Sequence, residues 1–191
     1  IIMSCDVTNE DEVKAFMDKA AALGKLAGLA NLAGLSIPGQ IPEFDVNSYD
    51  LMMDVNLKGM YFMSQAAADY MIKNGIKGHI LNVSSASCNK PGWTPYEISK
   101  WGVKALTLGF ADKLTPHGII VNAIAPGPVA TAMLKKADDS DLAWAGNPTG
   151  RMATTEEIAN LAVVMASDLG NLIVGDTYFI SGGSGTICLN Q

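Results

Sequence analysis

Two periods of apolar residues alternate along this chain, and each change of period marks a predicted element. Short continuous apolar runs, typical of strands buried on both faces, occur in LAGLANLAG, GHILNVSS, HGIIVNAIAPG and VGDTYFISGG. Between these runs the apolar residues recur at the spacing of one helix face. Strands that alternate with amphipathic helices predict an α/β fold, a doubly wound parallel sheet with helices on both faces.

Capping and turn residues predict where the helices begin and end. Thr8 is expected to cap the first helix, and a long helical pattern follows the turn residues of PEFDVN. Another runs from Thr94 to about Leu114, and TTEEIANLAVVMASDLG has a threonine cap and a terminal glycine. The irregular segment 128–150 has the length of a substrate lid.

Composition favours one folded domain over residues 1–191. The 191 residues are 49% hydrophobic, enough for a single core, and the net charge of −6 comes with no basic stripe. Nucleic acid and anionic membranes are therefore not expected as partners. No apolar run approaches the roughly 20 residues of a membrane span, and no signal peptide is recognisable, so we expect a cytoplasmic protein.

The cysteines and histidines do not predict a metal site. Cys5, Cys88 and Cys188 are far apart and form no Cys-x-x-Cys arrangement. His79 and His117 lack partners at the spacing of metal ligands.

Polar motifs follow three of the predicted strands, where ligands bind in doubly wound sheets. They are NLAG (31–34), NVSS (82–85) and APGPVAT (125–131), and YEISK begins the helix after NVSS. On a helix, Tyr96 and Lys100 share one face. Taken alone, this pair fits either a proton-transfer site or two polar residues on a common face.

The motifs together resemble the short-chain dehydrogenase/reductase family over essentially the whole chain. They occur in the family's order: Asp6-Val7, NLAG, the asparagine of VNLKG, the paired serines, YEISK, VNAIAPGPVAT, GRMATTEEIA and GDTYFISGG. The resemblance implies a Rossmann-like fold and an NAD(P)-dependent oxidoreductase that interconverts a secondary alcohol and a ketone. A non-catalytic relative that acts as a binding or assembly subunit is the alternative.

The resemblance also assigns catalytic roles to four residues. Tyr96 is the general acid/base, Ser85 orients the substrate oxygen with Ser84 as the alternative, and Lys100 tunes the tyrosine. Asn56 resembles the family asparagine that holds a relay water, although an exposed helix asparagine is also compatible.

The chemistry of Tyr96 requires a dry site. A free tyrosine has a pKa of about 10. An ammonium about 4 Å away contributes roughly 4 kcal/mol at an effective dielectric of about 20, but only about 1 kcal/mol in water. We therefore expect Lys100 to lower the pKa of Tyr96 only where a lid such as 128–150 excludes water.

Cofactor contacts follow from the same resemblance. The residues implied are Asp6, Val7, Asn31, Ala33, Gly34, Tyr96, Lys100, Pro126, Gly127, Val129 and Thr131. For Asp6 and Val7 the structural alternative is a cap that leads into a helix, and both interpretations can hold at once. For Pro126, Gly127, Val129 and Thr131 the alternative is a plain strand-ending turn. Trp93, Trp144, Met133 and Leu134 could line a substrate pocket, although we favour an interpretation as packing residues, and Asp138, Asp139 and Asp141 are interpreted as a solvated face.

The family's glycine-rich turn has no counterpart here, because the sequence begins near what would be the third strand. Since IIMSCDVTNE starts within a strand pattern, we expect an omitted N-terminal portion rather than a true truncation. The residue that discriminates NAD from NADP precedes the sequence, so both stay open. Family members are usually tetramers, so a homo-oligomer, dimer or homotetramer, is implied, built through the helices around 56–72 and 98–114 and the C-terminal strand. Frequent family substrates are 3-oxoacyl thioesters and sugar or polyol derivatives.

Overall fold

Four parallel strands form the sheet of this computed structural model, which describes residues 1–39, 41–134 and 141–187. The strands lie side by side in chain order: β1 Gly28–Asn31, β2 Gly78–Val83, β3 Ile119–Pro126 and β4 Thr177–Ile180. The register aligns Asn31 with Asn82, and Asn82 with Ala123. The motifs that follow these strands therefore meet at the carboxyl ends of the strands, as the sequence predicted.

Five α-helices accompany the sheet within the described residues. They are α1 Glu10–Ala22, α2 Val46–Met53, α3 Met60–Lys73, α4 Pro95–Leu114 and α5 Thr155–Met165. A π-helical segment, Asp54–Gly59, joins α2 to α3, so the long predicted helix is continuous but locally widened. Short 3₁₀ turns include Ala86–Asn89 and Ala132–Leu134.

Alternate residues of the strands face opposite helical layers. Ile80 and Val121, which are paired in the register, pack with Met71 of α3. Leu81, which follows Ile80, and Ile124, three residues after Val121, pack with α5 on the other face. Helices therefore cover both faces, which confirms the predicted fold class.

Three boundary predictions were wrong. Thr8 does not cap α1, because its hydroxyl and backbone N–H both donate to Asp6 Oδ1. Asn9 is the cap, and its Oδ1 accepts from the first turn of the helix. Helix α5 ends at Met165, before the predicted terminal glycine. Residues 1–6 form no strand, because no strand among the described residues pairs with them.

Helix α4 begins where the sequence predicted. Thr94 caps it in a reciprocal capping box with Glu97, and Pro95 occupies the first turn, where its missing N–H is not needed. This fixed start places the side chains of Tyr96 and Lys100 beside the end of β2.

Candidate active site

Helix α4 brings Tyr96 and Lys100 together. Lys100 is only 4% exposed, and its Nζ donates to the carbonyl oxygen of Val83 at 3.0 Å. The same ammonium lies 5.7 Å from the centre of the Tyr96 ring, within the range of a cation–π contact. The shared helix face inferred from YEISK is present in the structure.

Burial dominates the electrostatics of Lys100. Removal of the ammonium from water lowers the pKa of Lys100 from 10.5 to about 8, and the nearby Cys88 thiol opposes this shift. Lys100 can therefore exchange a proton close to neutral pH.

The pKa of Tyr96 moves opposite to the sequence-based expectation. Burial of the half-buried phenol raises the pKa, a hydrogen bond with Ser85 lowers it, and the negative charge of Glu97 raises it. Desolvation of the phenolate outweighs the attraction that the spacing of Tyr96 and Lys100 suggested, because the ammonium lies over the ring and is bound to Val83.

The two serines after β2 have different partners. The Ser84 hydroxyl donates to the carbonyl of Lys100 at 3.0 Å and is buried. Ser85 interacts with the Tyr96 hydroxyl and begins the 3₁₀ turn, where its Oγ accepts from the N–H of Ser87. Because the Ser84 hydroxyl is occupied, the geometry favours Ser85 as the group that meets a substrate oxygen.

Asn56 is fully buried, so the exposed-asparagine interpretation does not hold. Its Oδ1 accepts from the N–H of Leu35 at 2.8 Å, and its Nδ2 donates to the Leu35 carbonyl at 2.9 Å and to Ser99 Oγ at 3.2 Å. The residue stands in the π-helical segment, a feature frequent at functional sites. Asn56 thus ties the loop after β1 to α4.

The side-chain amide of Asn31 forms hydrogen bonds within the protein. Its side-chain amide donates to Ser64 Oγ and to Asn82 Oδ1, both at 2.9 Å. Asn82 in turn donates to Thr107 Oγ1. Both N–H groups of the Asn31 side chain therefore have partners inside the protein.

Two glycines shape the backbone near the site. A Cβ atom on Gly34 would lie 3.4 Å from Asn56 Oδ1 and 3.6 Å from Lys100 Nζ. A Cβ atom on Gly127 would lie 2.6 Å from the carbonyl oxygen of Ser181, closer than any side chain tolerates. Gly34 therefore leaves an open backbone surface beside the lysine, and Gly127 locks the turn after β3 against the chain beyond β4.

A cavity of about 560 Å³ lies at the carboxyl ends of the strands. Ser85, Tyr96 and Lys100 line it. Besides Tyr96 and Lys100, five further predicted cofactor residues contribute to the same wall: Gly34, Pro126, Gly127, Val129 and Thr131. Backbone and hydroxyl groups in a mostly apolar wall suit a nicotinamide and its ribose, so these residues fit an NAD(P) cofactor.

Asp6, Val7, Asn31 and Ala33 are not among the residues that line this cavity. The backbone N–H and the hydroxyl of Thr8 lower the pKa of Asp6. Val7 packs against Gly59, where an added Cβ would lie 2.8 Å from Val7 Cγ2. Asp6 and Val7 therefore have contacts within the chain that are compatible with the expected adenine contact.

Three residues interpreted as packing turn out to line the cavity: Met133, Leu134 and Trp144. Lys90 also lines it, and nothing in the motifs had marked Lys90. Their position in the sequence could have indicated this, because these residues lie in the segments that follow β2 and β3, where ligand-binding residues of such sheets are found. Asp138 and Asp139 lie outside the described residues, and the Asp141 carboxylate accepts from the N–H of Ala143.

Within residues 1–39, 41–134 and 141–187, no group of three or more His, Cys, Asp or Glu side chains could hold a metal ion. In the same part of the chain, no helix combines the length and the apolar character that crossing a membrane requires.

A family model described as enoyl-(acyl carrier protein) reductase matches residues 1–185, and the curated relatives include 3-oxoacyl-(acyl-carrier-protein) reductase of Thermotoga maritima. That relative is 34% identical over 183 residues, which cover 93% of this chain and 74% of the relative. The chain belongs to the short-chain dehydrogenase/reductase family.

Other family members have similar structures and sequences. Gluconate 5-dehydrogenase of Gluconobacter oxydans is 34% identical, with 93% of this chain and 72% of the relative covered. A family member from Mycobacterium marinum superposes with a TM-score of 0.89 at 29% identity, covering 98% of this chain and 76% of that one. Gluconate 5-dehydrogenase of Burkholderia cenocepacia, solved with NADP and tartrate, superposes with a TM-score of 0.86 at 29% identity. The match covers 96% of this chain and 74% of that one.

Membership of the short-chain dehydrogenase/reductase family establishes the reaction class. The protein is an oxidoreductase that uses NAD(P) and acts on CH–OH groups, interconverting alcohol and ketone substrates. Nothing in these relatives favours the non-catalytic alternative.

Proposed function

We propose that Tyr96, Ser85, Lys100 and Asn56 carry out the proton chemistry of this oxidoreductase. One observation carries the proposal: Tyr96, Ser85 and Lys100 line the same cavity at the carboxyl ends of the strands. Asn56 lies directly behind that wall. A Cβ atom added to Gly34 would lie 3.4 Å from Asn56 Oδ1 and 3.6 Å from Lys100 Nζ, so both side chains flank Gly34.

Tyr96 exchanges a proton with the substrate oxygen. Burial keeps the pKa of Tyr96 above its ordinary value, so the phenol holds its proton at neutral pH and is ready to donate to a ketone oxygen. Ser85 donates a hydrogen bond to the same oxygen and stabilises the charge that develops there. When bound, the nicotinamide supplies or accepts the hydride.

Lys100 supports the tyrosine in both directions. Its ammonium stabilises a phenolate when an alcohol is oxidised, and a pKa of about 8 lets it return a proton near neutral pH. Asn56 holds the Leu35 backbone beside this group and belongs to the relay toward solvent.

The cofactor lies against Gly34, Tyr96, Lys100 and the turn after β3, which contributes Pro126, Gly127, Val129 and Thr131. These residues support the assignment because they line the cavity that contains the tyrosine. Asp6, Val7, Asn31 and Ala33 do not line this cavity and are proposed to contact the adenosine side of the cofactor instead. Residues 1–191 form one domain, and 128–150 act as the substrate lid; Met133, Leu134 and Trp144 of that segment line the cavity.

The substrate is a ketone or secondary alcohol of the 3-oxoacyl or sugar-derived kind, as the names of the relatives suggest. We further propose a cytoplasmic homo-oligomer, up to a homotetramer. An apolar groove of about 650 Å³ between α3 and α4 supports self-association; it is lined by Leu57, Tyr61, Ile72 and Phe110, among others.

Replacement of the tyrosine tests the proposal. Tyr96→Phe should lower kcat/KM by about 10² to 10⁴-fold, the usual contribution of a general acid. Nicotinamide absorbance with a ketone panel measures turnover, and circular dichroism checks the fold. Tyr49→Phe on α2, where the ring is exposed and outside the cavity, is the matched control. Undiminished turnover by the Tyr96→Phe protein would refute the proposed role.

A further inference from the structure

The described part of the cavity wall carries charge of one sign. Lys90 and Lys100 are the charged side chains among the described residues that line it, and no aspartate or glutamate does so. The protein as a whole carries a net charge of −6. The cavity is therefore locally positive on an acidic protein, which favours an anionic ligand.

The two lysines differ in what they already contact. Lys100 is buried, donates to Val83 and lies over the Tyr96 ring. Lys90 is half-buried, and its ammonium makes no hydrogen bond or ion pair within the described part of the chain. Lys90 is thus the cation that is available to a ligand.

The backbone of Lys90 is held in place. Its N–H donates to the Ser87 carbonyl at 3.1 Å, and its own carbonyl accepts from Trp101 Nε1 at 2.7 Å. Ser87 in turn donates its N–H to Ser85 Oγ. A short run of hydrogen bonds therefore fixes Lys90 relative to Ser85, within roughly 10 Å at about 2 Å per residue of a 3₁₀ turn.

Apolar side chains complete the wall between these polar points. Met133, Leu134 and Trp144 come from the segment after β3 and line the same cavity. A matching substrate has a carbonyl or carbinol at Ser85 and Tyr96, a carbon skeleton against these side chains, and a negative group several bonds away.

We propose that Lys90 is a specificity-determining residue that receives a carboxylate or phosphate group of the substrate. This inference rests on the proposed function, because it takes Ser85 and Tyr96 as the reacting end. A charge-assisted hydrogen bond of this kind typically contributes about tenfold to a hundredfold in affinity.

Matched ketones with and without the negative charge test the inference. The probes are 5-oxohexanoate and its methyl ester, which share the ketone and the chain. The wild-type enzyme should show a kcat/KM for the acid about tenfold to a hundredfold above that for the ester, through KM. Lys90→Met should remove most of this ratio and Lys90→Arg should keep it. Lys73→Met, which removes an exposed lysine from α3, is the control for net charge and should also keep it.

Two further measurements separate the possible outcomes. Calorimetric titration with 5-oxohexanoate reports binding without turnover, and Lys90→Met should weaken it while Lys90→Arg should not. Turnover retained by Tyr96→Phe would refute the proposed function alone, and the titration would still judge Lys90. Fluorescence titration with NADH and NADPH tests whether the anion is instead a cofactor phosphate. An equal acid-to-ester ratio in wild type and Lys90→Met, or a loss confined to cofactor binding, would overturn the inference.

Discussion

Two buried polar clusters of similar composition have different environments. The sheet cluster, made of Asn31, Ser64, Asn82 and Thr107, crosses β1 and β2 and pairs its side-chain amide groups with other buried groups. The site cluster, made of Asn56, Ser84, Ser99 and Lys100, links the π-helical segment to α4. Only the site cluster contains a charge, and only that cluster reaches the cavity, through Ser84 and Lys100.

The difference shows what burial does in each place. In the sheet cluster, neutral groups satisfy one another, so burial favours a single arrangement of the strands. In the site cluster, burial disfavours the ammonium of Lys100 and brings its pKa down to about 8. The first cluster stabilises the fold, whereas the second gives up stability for a group that can exchange protons near neutral pH.

Removal of the buried charge should have the largest effect. We expect Lys100→Met to lower kcat/KM by about 10² to 10³-fold, because the general acid/base loses its supporting cation. The free energy of unfolding at pH 7 should not fall, since the desolvation of the ammonium is also removed. Steady-state kinetics and urea unfolding measure the two effects. Lys58 forms an exposed ion pair with Asp54. Lys58→Met should change the free energy of unfolding by no more than about 0.5 kcal/mol and should leave kcat/KM at the wild-type level.

The pH dependence of stability should report the same lysine. Its pKa is about 8 in the folded protein and 10.5 when free, so the unfolded chain holds more protons between these values. Stability of the wild type relative to Lys100→Met should therefore be lowest and constant below pH 8 and should rise by about 3 kcal/mol toward pH 10.5, at about 1.36 kcal/mol per unit. Urea unfolding across this range measures the difference. A difference that does not change with pH would show that the lysine is not desolvated.

The sheet cluster should respond in stability and not in chemistry. Asn82→Ala removes two buried hydrogen bonds and leaves Asn31 and Thr107 without these partners. We expect a loss of about 2 to 3 kcal/mol in the free energy of unfolding, and kcat/KM within about threefold of wild type. The exposed Asn74→Ala is the control for loss of an amide side chain. A large fall in kcat with little loss of stability would contradict the division between the clusters.

The smallest effect should come from a matched pair of serines. Ser99 Oγ donates to the Tyr96 carbonyl at 2.7 Å and accepts from Asn56, whereas Ser64 Oγ accepts from Asn31. Each serine-to-alanine change should reduce stability by about 1 kcal/mol. Only Ser99→Ala should also lower kcat, by about fivefold, since it loosens the turn that carries Tyr96. Equal kcat values in the two variants would show that the Ser99 contact does not position the tyrosine.

The elements of the fold follow closely from local sequence. Apolar period, the Thr94 capping box and Pro95 predict α4, and the continuous apolar runs predict all four strands, because these signals depend on neighbouring residues. Thr8 was misassigned because a nearby carboxylate, Asp6, competes for its hydrogen bonds.

The site was predictable in its residues but not in its contacts. Motif order led to Tyr96, Ser85, Lys100 and Asn56, and the first three share the cavity. The burial of Asn31 away from the cavity and the contribution of Lys90 depend on packing between segments far apart in the chain, which local patterns do not encode.

The sequence by itself determined which elements form, which strand ends carry polar residues, and that a tyrosine and a lysine share a helix face. Only the tertiary structure decided the direction of the Tyr96 pKa shift, the different hydrogen-bond partners of Ser84 and Ser85, and the positive charge on the described part of the cavity wall. The physical reason is that helix and strand periodicity arises within a few residues, whereas desolvation and hydrogen-bond competition depend on everything that folding brings around a group.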